Sequence, residues 1–366
     1  MRLQNIIIRF DWTLMLTALA LTGVGLVVMY GIGISRAEAD LFLFQKQFVG
    51  TVIGLFLIAA CCLLDYRQLR SLALPLYAAG AALLAGVLVF GESIRGTRGW
   101  YVIGGLSFQP VEIAKICLIL FLASYLVRFV HEKLPWHALS GSLLATLGYA
   151  ALVLLQPDFG SAMVMIALWG FMVLVVGIPF RAILAVTGIF LFAAVAAWTL
   201  FFQPYQKERF MAFLDPSLDA RGAGYNVTQA RIAIGSGGLF GKGIGEGSQS
   251  RLRFLPEAAT DFTFAVIGEE LGLVGISLVL GLFVLLFYRF FAIARLSEDD
   301  YAKLLIVGAG SMLFVHLVIN AGMNVGMMPV TGIPLPFLSS ASSFLISAFV
   351  SLGLVQSISV HRRAHA

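Results

Sequence analysis

From Trp12 to Ile34 the sequence runs without one charged side chain, and this run limits the chain more than any other feature. A helix needs about 20 apolar residues to cross a bilayer, and only helices and closed barrels satisfy their own backbone there. Comparable runs recur to the end of the sequence. Hydropathy places ten spans near 11–34, 45–64, 71–90, 109–130, 138–156, 160–178, 181–202, 262–288, 302–325 and 337–358. Composition agrees, because 60% of the 366 residues are hydrophobic and only 12% charged, against about 25% charged in a soluble domain. The expected fold is an all-α polytopic membrane protein forming one domain over residues 1–366. The first run is too long for a secretory signal core of roughly 7–15 residues, and no small-residue cleavage site follows it. It counts as the first span.

An even number of spans puts both termini on one side. Arg2, Arg9, Arg67, Arg70, Arg128, Lys133, Arg181, Arg289, Arg295, Lys303, Arg362 and Arg363 fall on that side, against Arg36, Lys46, Arg95 and Arg98 in the short loops opposite. The excess of basic residues marks the cytoplasmic face. Both termini are therefore expected in the cytoplasm, with residues 203–261 forming one large structured extracytoplasmic loop between spans seven and eight. Loops this long in a compact fold are usually functional.

Several function classes drop out. No basic run with interleaved aromatics is present, so nucleic acid is not an expected partner. Cys61, Cys62 and Cys117 all sit in apolar spans away from His, and they read as small core residues rather than a metal site or disulfide framework. Asn226-Val-Thr228 matches a glycosylation sequon by chance. The run Gly235-Ser-Gly-Gly-Leu-Phe-Gly-Lys-Gly-Ile-Gly-Glu-Gly247 resembles a phosphate loop, but Ser236 stands where the first glycine belongs and Gly243 follows the lysine. The P-loop reading fails. Two readings remain open: a flexible loop, or free N–H groups and Lys242 approaching an anionic head group.

Ionisable residues at membrane depth are the main candidates for function. Glu112 and Lys115 are three apart at the start of span four and share a helix face, as a structural ion pair or as a charged wall of a water-filled cavity. Asp158, in Gln156-Pro-Asp-Phe-Gly160, suits a helix cap or a site acid. Arg98 and Trp100 precede span four, where Trp100 also suits an interfacial anchor. Four acids crowd the eighth span: Glu257, Asp261, Glu269 and Glu270. On a helix Asp261 and Glu269 are about 80° apart round the axis and ~12 Å along it. Glu269 can therefore face the same cavity, while Glu270 points away and is expected to pair with another helix. These acids lie among the cations Arg98, Lys115, Lys207, Arg209, Arg231, Lys242, Arg251 and Arg253, with lipid access. The combination suits an anionic lipid-linked substrate, with cations on phosphate and a carboxylate as general base. Physics alone leaves open whether that substrate is polymerised, ligated or flipped.

Several stretches resemble the SEDS family (shape, elongation, division and sporulation). They are Gly99-Trp100 with Phe108-Gln-Pro-Val-Glu-Ile-Ala-Lys115, then Gln156-Pro-Asp-Phe-Gly160, Ile232–Gly245, Phe254-Leu-Pro-Glu-Ala-Ala-Thr-Asp-Phe262 and Met328–Phe337. The resemblance implies a peptidoglycan glycosyltransferase that polymerises lipid II at the outer face of the bacterial cytoplasmic membrane, in cell elongation or division. The elongation type, RodA-like, is slightly favoured over the FtsW-like type. It implies Asp261 as the essential carboxylate, the base for the acceptor 4-hydroxyl. Arg98, Lys115, Arg209 and Lys242 are candidate cations for the leaving diphosphate. Trp100, Gln109, Glu112, Asp158, Glu257 and Glu269 complete the expected binding residues. The expected partners are a class B penicillin-binding protein and other membrane proteins of the elongation or division complex. No resident cofactor is implied, and a divalent cation, Mg or Mn, is left open.

Two departures stand out. Ser339-Ser-Ala-Ser-Ser343 replaces the family's usual Ser-Tyr-Gly-Gly-Ser/Thr, and Ala259 stands where a His is usual. The runner-up function is a flippase for the same lipid-linked precursor. A ligase or polymerase of the O-antigen type is a third reading, which the Leu-Pro-Glu-x-x-Thr-Asp-Phe string argues against.

Overall fold

The computed structural model describes residues 7–35, 40–94, 96–104, 106–182, 222–252 and 254–362, with scattered positions between 184 and 213. Most of the expected seventh span, 181–202, lies outside the described residues, as does Arg209. Among the described residues nine helices are long and apolar enough to cross a membrane. In chain order the elements are α1 (Trp12–Ile34), α2 (Phe42–Leu63), α3 (Gln68–Phe90), β1 (Glu92–Ile94), β2 (Thr97–Ile103), β3 (Leu106–Phe108), α4 (Pro110–Leu126), α5 (Trp136–Leu154), α6 (Phe159–Val176), α7 (Ala223–Ser236), α8 (Ser248–Arg251), α9 (Thr263–Leu296), α10 (Asp300–Asn324) and α11 (Ser342–His361).

Local chemistry accounts for the helix starts. Asp11 caps α1 by accepting from the Leu14 amide at 2.8 Å, and Asp158 caps α6 through the Ser161 amide at 2.9 Å. Pro110 occupies the first turn of α4, where a missing N–H costs nothing. The interior is built from α4, α10 and α11, most of whose side chains are buried. Around them α11 packs on α2, α10 on α6, and α4 on α3. Large apolar residues on α2, α3 and α9, such as Phe56, Phe90 and Val284, point outward as lipid contact requires.

Two features depart from the expected outline. Residues 92–108 form a small antiparallel ribbon, order β1-β2-β3, with Tyr101 opposite Phe108 and a tight turn at Gly104, φ +58°. Helix α9 also runs eight residues past its expected end at 288, beyond Arg289. That arginine is neutralised by Asp11, whose carboxylate accepts from Arg289 Nε at 3.2 Å. Gln356 of α11 brackets the same residue, accepting from the Asp11 amide at 3.0 Å and donating to its carbonyl at 2.8 Å. A paired cation does not end an apolar helix, so α9 continues past Arg289.

Helix α9 is broken at Gly272, where φ is 66° and ψ −161°. A break at membrane depth strands backbone groups that water cannot reach. The glycine run supplies their partners. Lys242 N donates to Glu269 O at 2.9 Å and Gly243 N to Glu270 O at 3.0 Å, while Leu273 N donates to Gly238 O at 2.9 Å and Val274 N to Leu239 O at 3.1 Å. The two backbones touch. A Cβ at Gly241, φ +79°, would sit on the Glu270 carbonyl, and one at Gly272 on the Gly241 amide. The amides of 241–243 are therefore committed to protein carbonyls, and the glycines serve close packing rather than flexibility.

Replacing Gly241 or Gly272 by Ala is expected to cost about 2 kcal/mol or more, since a left-handed L-residue alone costs roughly 1–2. Gly235→Ala, on a helix with open space at its Cβ, is expected to stabilise by about 0.5–1 kcal/mol. Thermal unfolding of the purified protein in detergent separates the two classes.

Candidate active site

Asp261 sits half-buried in a tight turn just before α9. The Glu257 carbonyl receives the amides of Thr260, Asp261 and Phe262 at 3.1–3.2 Å, and the Glu257 carboxylate accepts from the Thr260 hydroxyl at 3.0 Å. Side chains from α10 grip the turn from the other side. Asn320 Nδ2 donates to the Asp261 carbonyl at 3.0 Å, and Asn324 Nδ2 does so at 2.9 Å. Asn324 Oδ1 also accepts from the Ala265 amide at 3.0 Å. Position 261 is thus fixed through its backbone.

The segment between α10 and α11 forms the facing wall. Asn320 Nδ2 also donates to the Ile333 carbonyl at 2.8 Å, and a Cβ at Gly332 would lie 3.7 Å from Asp261 Oδ2. Ser339 ties the wall to the Asp261 turn: its hydroxyl donates to Thr260 O at 2.6 Å and accepts from the Leu335 amide at 2.9 Å. Ser340 N donates to Ala259 O at 2.8 Å. Helix α6 starts against the same wall, since a Cβ at Gly160 would lie 2.7 Å from the Thr331 carbonyl.

The start of α4 closes the group. Gln109 Nε2 reaches Asp158 Oδ2 at 3.4 Å, and the Gln109 amide donates to Ser343 Oγ at 3.1 Å. The N-termini of α4, α6, α9 and α11 are therefore linked by direct hydrogen bonds or backbone contact, each carrying about half a positive charge of helix dipole. Such an end favours anions.

One turn into α4, Glu112 and Lys115 form a buried pair. Lys115 Nζ lies 2.8 Å from both carboxylate oxygens, with side-chain exposures of 0% and 3% for Lys115 and Glu112. Ser347 of α11 donates to Glu112 at 3.4 Å, and Lys115 Nζ lies 3.0 Å from His316 Nε2. In this arrangement the ammonium braces three helices and does not open to a ligand. Removing either partner of such a pair costs about 3–5 kcal/mol.

The structure thus gathers Gln109, Asp158, Glu257 and Asp261, with Glu112 and Lys115 buried behind them. The remaining expected residues are engaged differently. Arg98 donates to the carbonyls of Gly91 and Val89 at 3.2 Å, capping the end of α3. Trp100 is half-buried on β2. Arg209 lies outside the described residues.

A family model described as cell cycle protein, covering FtsW, RodA and SpoVE, matches residues 11–364. The chain belongs to that family. It is 37% identical over 361 residues to the Escherichia coli K12 peptidoglycan glycosyltransferase MrdB, covering 97% of this chain and 95% of that one. It is 35% identical over 363 residues to a probable peptidoglycan glycosyltransferase FtsW of Thiomicrospira cyclica, covering 96% and 92%. A chain from a solved peptidoglycan synthase complex, described as coordinating polymerization and crosslinking, superposes with a TM-score of 0.81 at 35% identity, over 96% of this chain and 97% of that one. Relatives named MrdB and FtsW match to similar extents.

Sequence reasoning missed His316, Asn320 and Asn324, and noted Ser339 only as part of a departure from the family pattern. A signal was available, because the first three recur every four residues and so share one face of an apolar helix. Among the described residues no three His, Cys, Asp or Glu side chains converge as a metal site would need.

Glu269 departs from its expected place beside Asp261, while Glu270 does lie against a neighbouring helix. The fully buried Glu269 carboxylate accepts from Lys242 Nζ at 3.1 Å, from Ser248 Oγ at 3.2 Å, and from the amides of Gln249 and Ser250 at 2.9 and 3.3 Å. It holds residues 242–250 against α9. Glu270, equally buried, lies against Gly31 of α1 and beside the Gly245 amide. Among the described residues Glu270 meets a neighbouring helix, α1, but forms no ion pair with it.

A hydrogen bond to a charged group is worth about 1.5–3 kcal/mol. Glu269→Ala is therefore expected to speed amide exchange at Gln249 and Ser250 by roughly tenfold to a hundredfold. Unchanged exchange there, read by hydrogen–deuterium mass spectrometry, would remove the structural role given to Glu269.

Proposed function

We propose that this chain is a peptidoglycan glycosyltransferase that polymerises lipid II, with Asp261 as the general base. One observation carries the reading: a half-buried carboxylate, fixed through its backbone, stands where the N-termini of α4, α6, α9 and α11 are linked. A base needs that fixed placement beside the acceptor hydroxyl, and a diphosphate needs positive dipoles. The relatives named peptidoglycan glycosyltransferase support the substrate class.

In the proposed step the acceptor sugar's 4-hydroxyl attacks the anomeric carbon of the donor. Asp261 takes the hydroxyl proton as the new C–O bond forms and the bond to diphosphate breaks. The leaving diphosphate gathers negative charge, which the converging helix N-termini stabilise because they are already oriented before the reaction begins. Gln109 and Asp158 shape the same ring, and Glu257 holds the turn that carries Asp261. Glu112 and Lys115 brace the ring from behind.

The bundle orients with both termini in the cytoplasm and Asp261 at the outer face of the cytoplasmic membrane. The distribution of Lys and Arg supports that placement. A class B penicillin-binding protein is the proposed partner, supported by the likeness to a complex that couples polymerization to crosslinking.

Purified with such a transpeptidase and given labelled lipid II, the parent protein is expected to make polymer. Asp261→Ala and Asp261→Asn are expected to lose about 10²–10⁴-fold in rate, the range a general base supplies. Either variant polymerising as fast as the parent would refute the base. A parent that moves labelled lipid between leaflets and makes no polymer would favour transport instead.

A further inference from the structure

Among the described residues His316 is the one histidine buried in the spans, with no exposed surface. Three elements fix its imidazole. Nδ1 lies 3.2 Å from the Pro334 carbonyl, Nε2 lies 3.0 Å from Lys115 Nζ, and the ring stacks on Phe344 of α11 at 3.9 Å between centroids with 6° between planes. A carbonyl only accepts and an ammonium only donates. The partners therefore define the tautomer: the proton is on Nδ1 and Nε2 is bare.

That assignment gives the residue a direction of action. Its Nε2 holds one side of the Lys115 ammonium, and the Glu112 carboxylate holds another. Its Nδ1 holds the Pro334 carbonyl. The preceding carbonyl, Ile333, is held by Asn320, one helical turn further along α10, and the same amide holds the Asp261 carbonyl. Consecutive carbonyls of the wall are thus gripped by consecutive turns of one helix. The upper grip carries Asp261 and the lower grip carries Lys115.

We propose that His316 is a positioning residue of the polymerising site, which sets the distance between the Glu112–Lys115 pair and the turn bearing Asp261 by joining Lys115 to the Pro334 carbonyl. The proposal rests on the reading of Asp261 as the base. It assigns His316 no contact with substrate; the residue acts through Lys115 and the wall. A space-filling residue would need only the stacking on Phe344, whereas the observed geometry uses both ring nitrogens.

The test separates the two nitrogens. Asn places an amide near the position of Nδ1, and Gln places one near Nε2. In the polymerisation assay with the transpeptidase partner, His316→Leu is expected to lower kcat at least tenfold with KM within about twofold of the parent, the pattern of a lost transition-state alignment. His316→Gln and His316→Asn each keep one end of the link and are expected to recover only part of the rate, and full recovery by either would overturn the proposal. Thermal unfolding of all three is measured alongside.

Leu matching the parent would overturn the proposal. So would rate losses that follow the loss of thermal stability across the three variants, with no partial rescue by Gln or Asn. A second measurement does not depend on activity. Nitrogen-15 NMR of histidine-labelled protein is expected to show His316 protonated at Nδ1 and bare at Nε2, with the Nε2 resonance moving in Lys115→Met. An Nε2-protonated ring, or no response to Lys115→Met, would also overturn it. A parent protein that makes no polymer fails the underlying reading, and that failure shows before any variant is compared.

Discussion

Inside a bilayer every backbone amide and carbonyl must find a partner within the protein, and that constraint organises this structure wherever its chain is not helical. Three irregular stretches lie against the bundle: the glycine run, the turn of residues 257–262, and the wall of residues 331–341. Each is closed by a different device. The glycine run meets the break in α9 backbone to backbone. The Asp261 turn and the wall are held mainly by side chains, with Asn320, Asn324, His316 and Ser339 on the carbonyls of Thr260, Asp261, Ile333 and Pro334. Gln47 closes the far end of the wall by donating to the Phe337 carbonyl at 3.0 Å, and Gly25 of α1 approaches the same turn so closely that a Cβ would lie 2.8 Å from Leu338 Cα.

The same bonds that satisfy the backbone also preorganise the chemistry. A catalytic carboxylate has to be placed to within a fraction of an ångström, and groups that stabilise developing charge act best when they are already oriented. Asp261 is held through its carbonyl rather than by burying its carboxylate, which leaves the side chain half-buried at the linked helix ends. The charges not needed at that point are paired deeper in the fold. Lys115 is matched to Glu112, Lys242 to Glu269 and Arg289 to Asp11. The Lys242–Glu269 and Arg289–Asp11 pairs each join segments far apart in the chain, whereas Lys115 and Glu112 pair within α4.

The legible part of the sequence was the part governed by hydropathy. Nine of the ten expected spans coincide with described helices to within a few residues at most ends, because a bilayer imposes one length on every crossing. Errors came where a local contact overrides that signal. Helix α9 continues through Arg289 because Asp11 pairs with it, and the ribbon of residues 92–108 is too short and too glycine-rich to stand out. The acids illustrate the limit of spacing arguments. Helical geometry made Glu269 a companion of Asp261, yet the segment 242–250 folds back onto Glu269 and takes up its carboxylate. Nothing in the local sequence marks which of two adjacent glutamates a distant loop will cover. The His316–Asn320–Asn324 series was readable as polar residues on one helix face, but its partners are carbonyls, which no side-chain motif reveals.

The stretch Ser339–Ser343 shows how a departure from a family pattern resolves physically. Glycines at the third and fourth positions would matter if the backbone there were left-handed or pressed against a neighbour. Ala341 instead has φ −103° and ψ 87°, a conformation open to any L-residue, and Ser342 is already helical. Losing the glycines therefore brings no backbone strain. The serines on either side do more than fill the gap. Ser339 joins the wall to the Asp261 turn, and Ser343 receives the amide of Gln109 at the start of α4. In this chain hydroxyl groups tie together three of the four helix N-termini on which the proposed chemistry depends, so side-chain hydrogen bonds here hold what close backbone packing could hold where glycines stand.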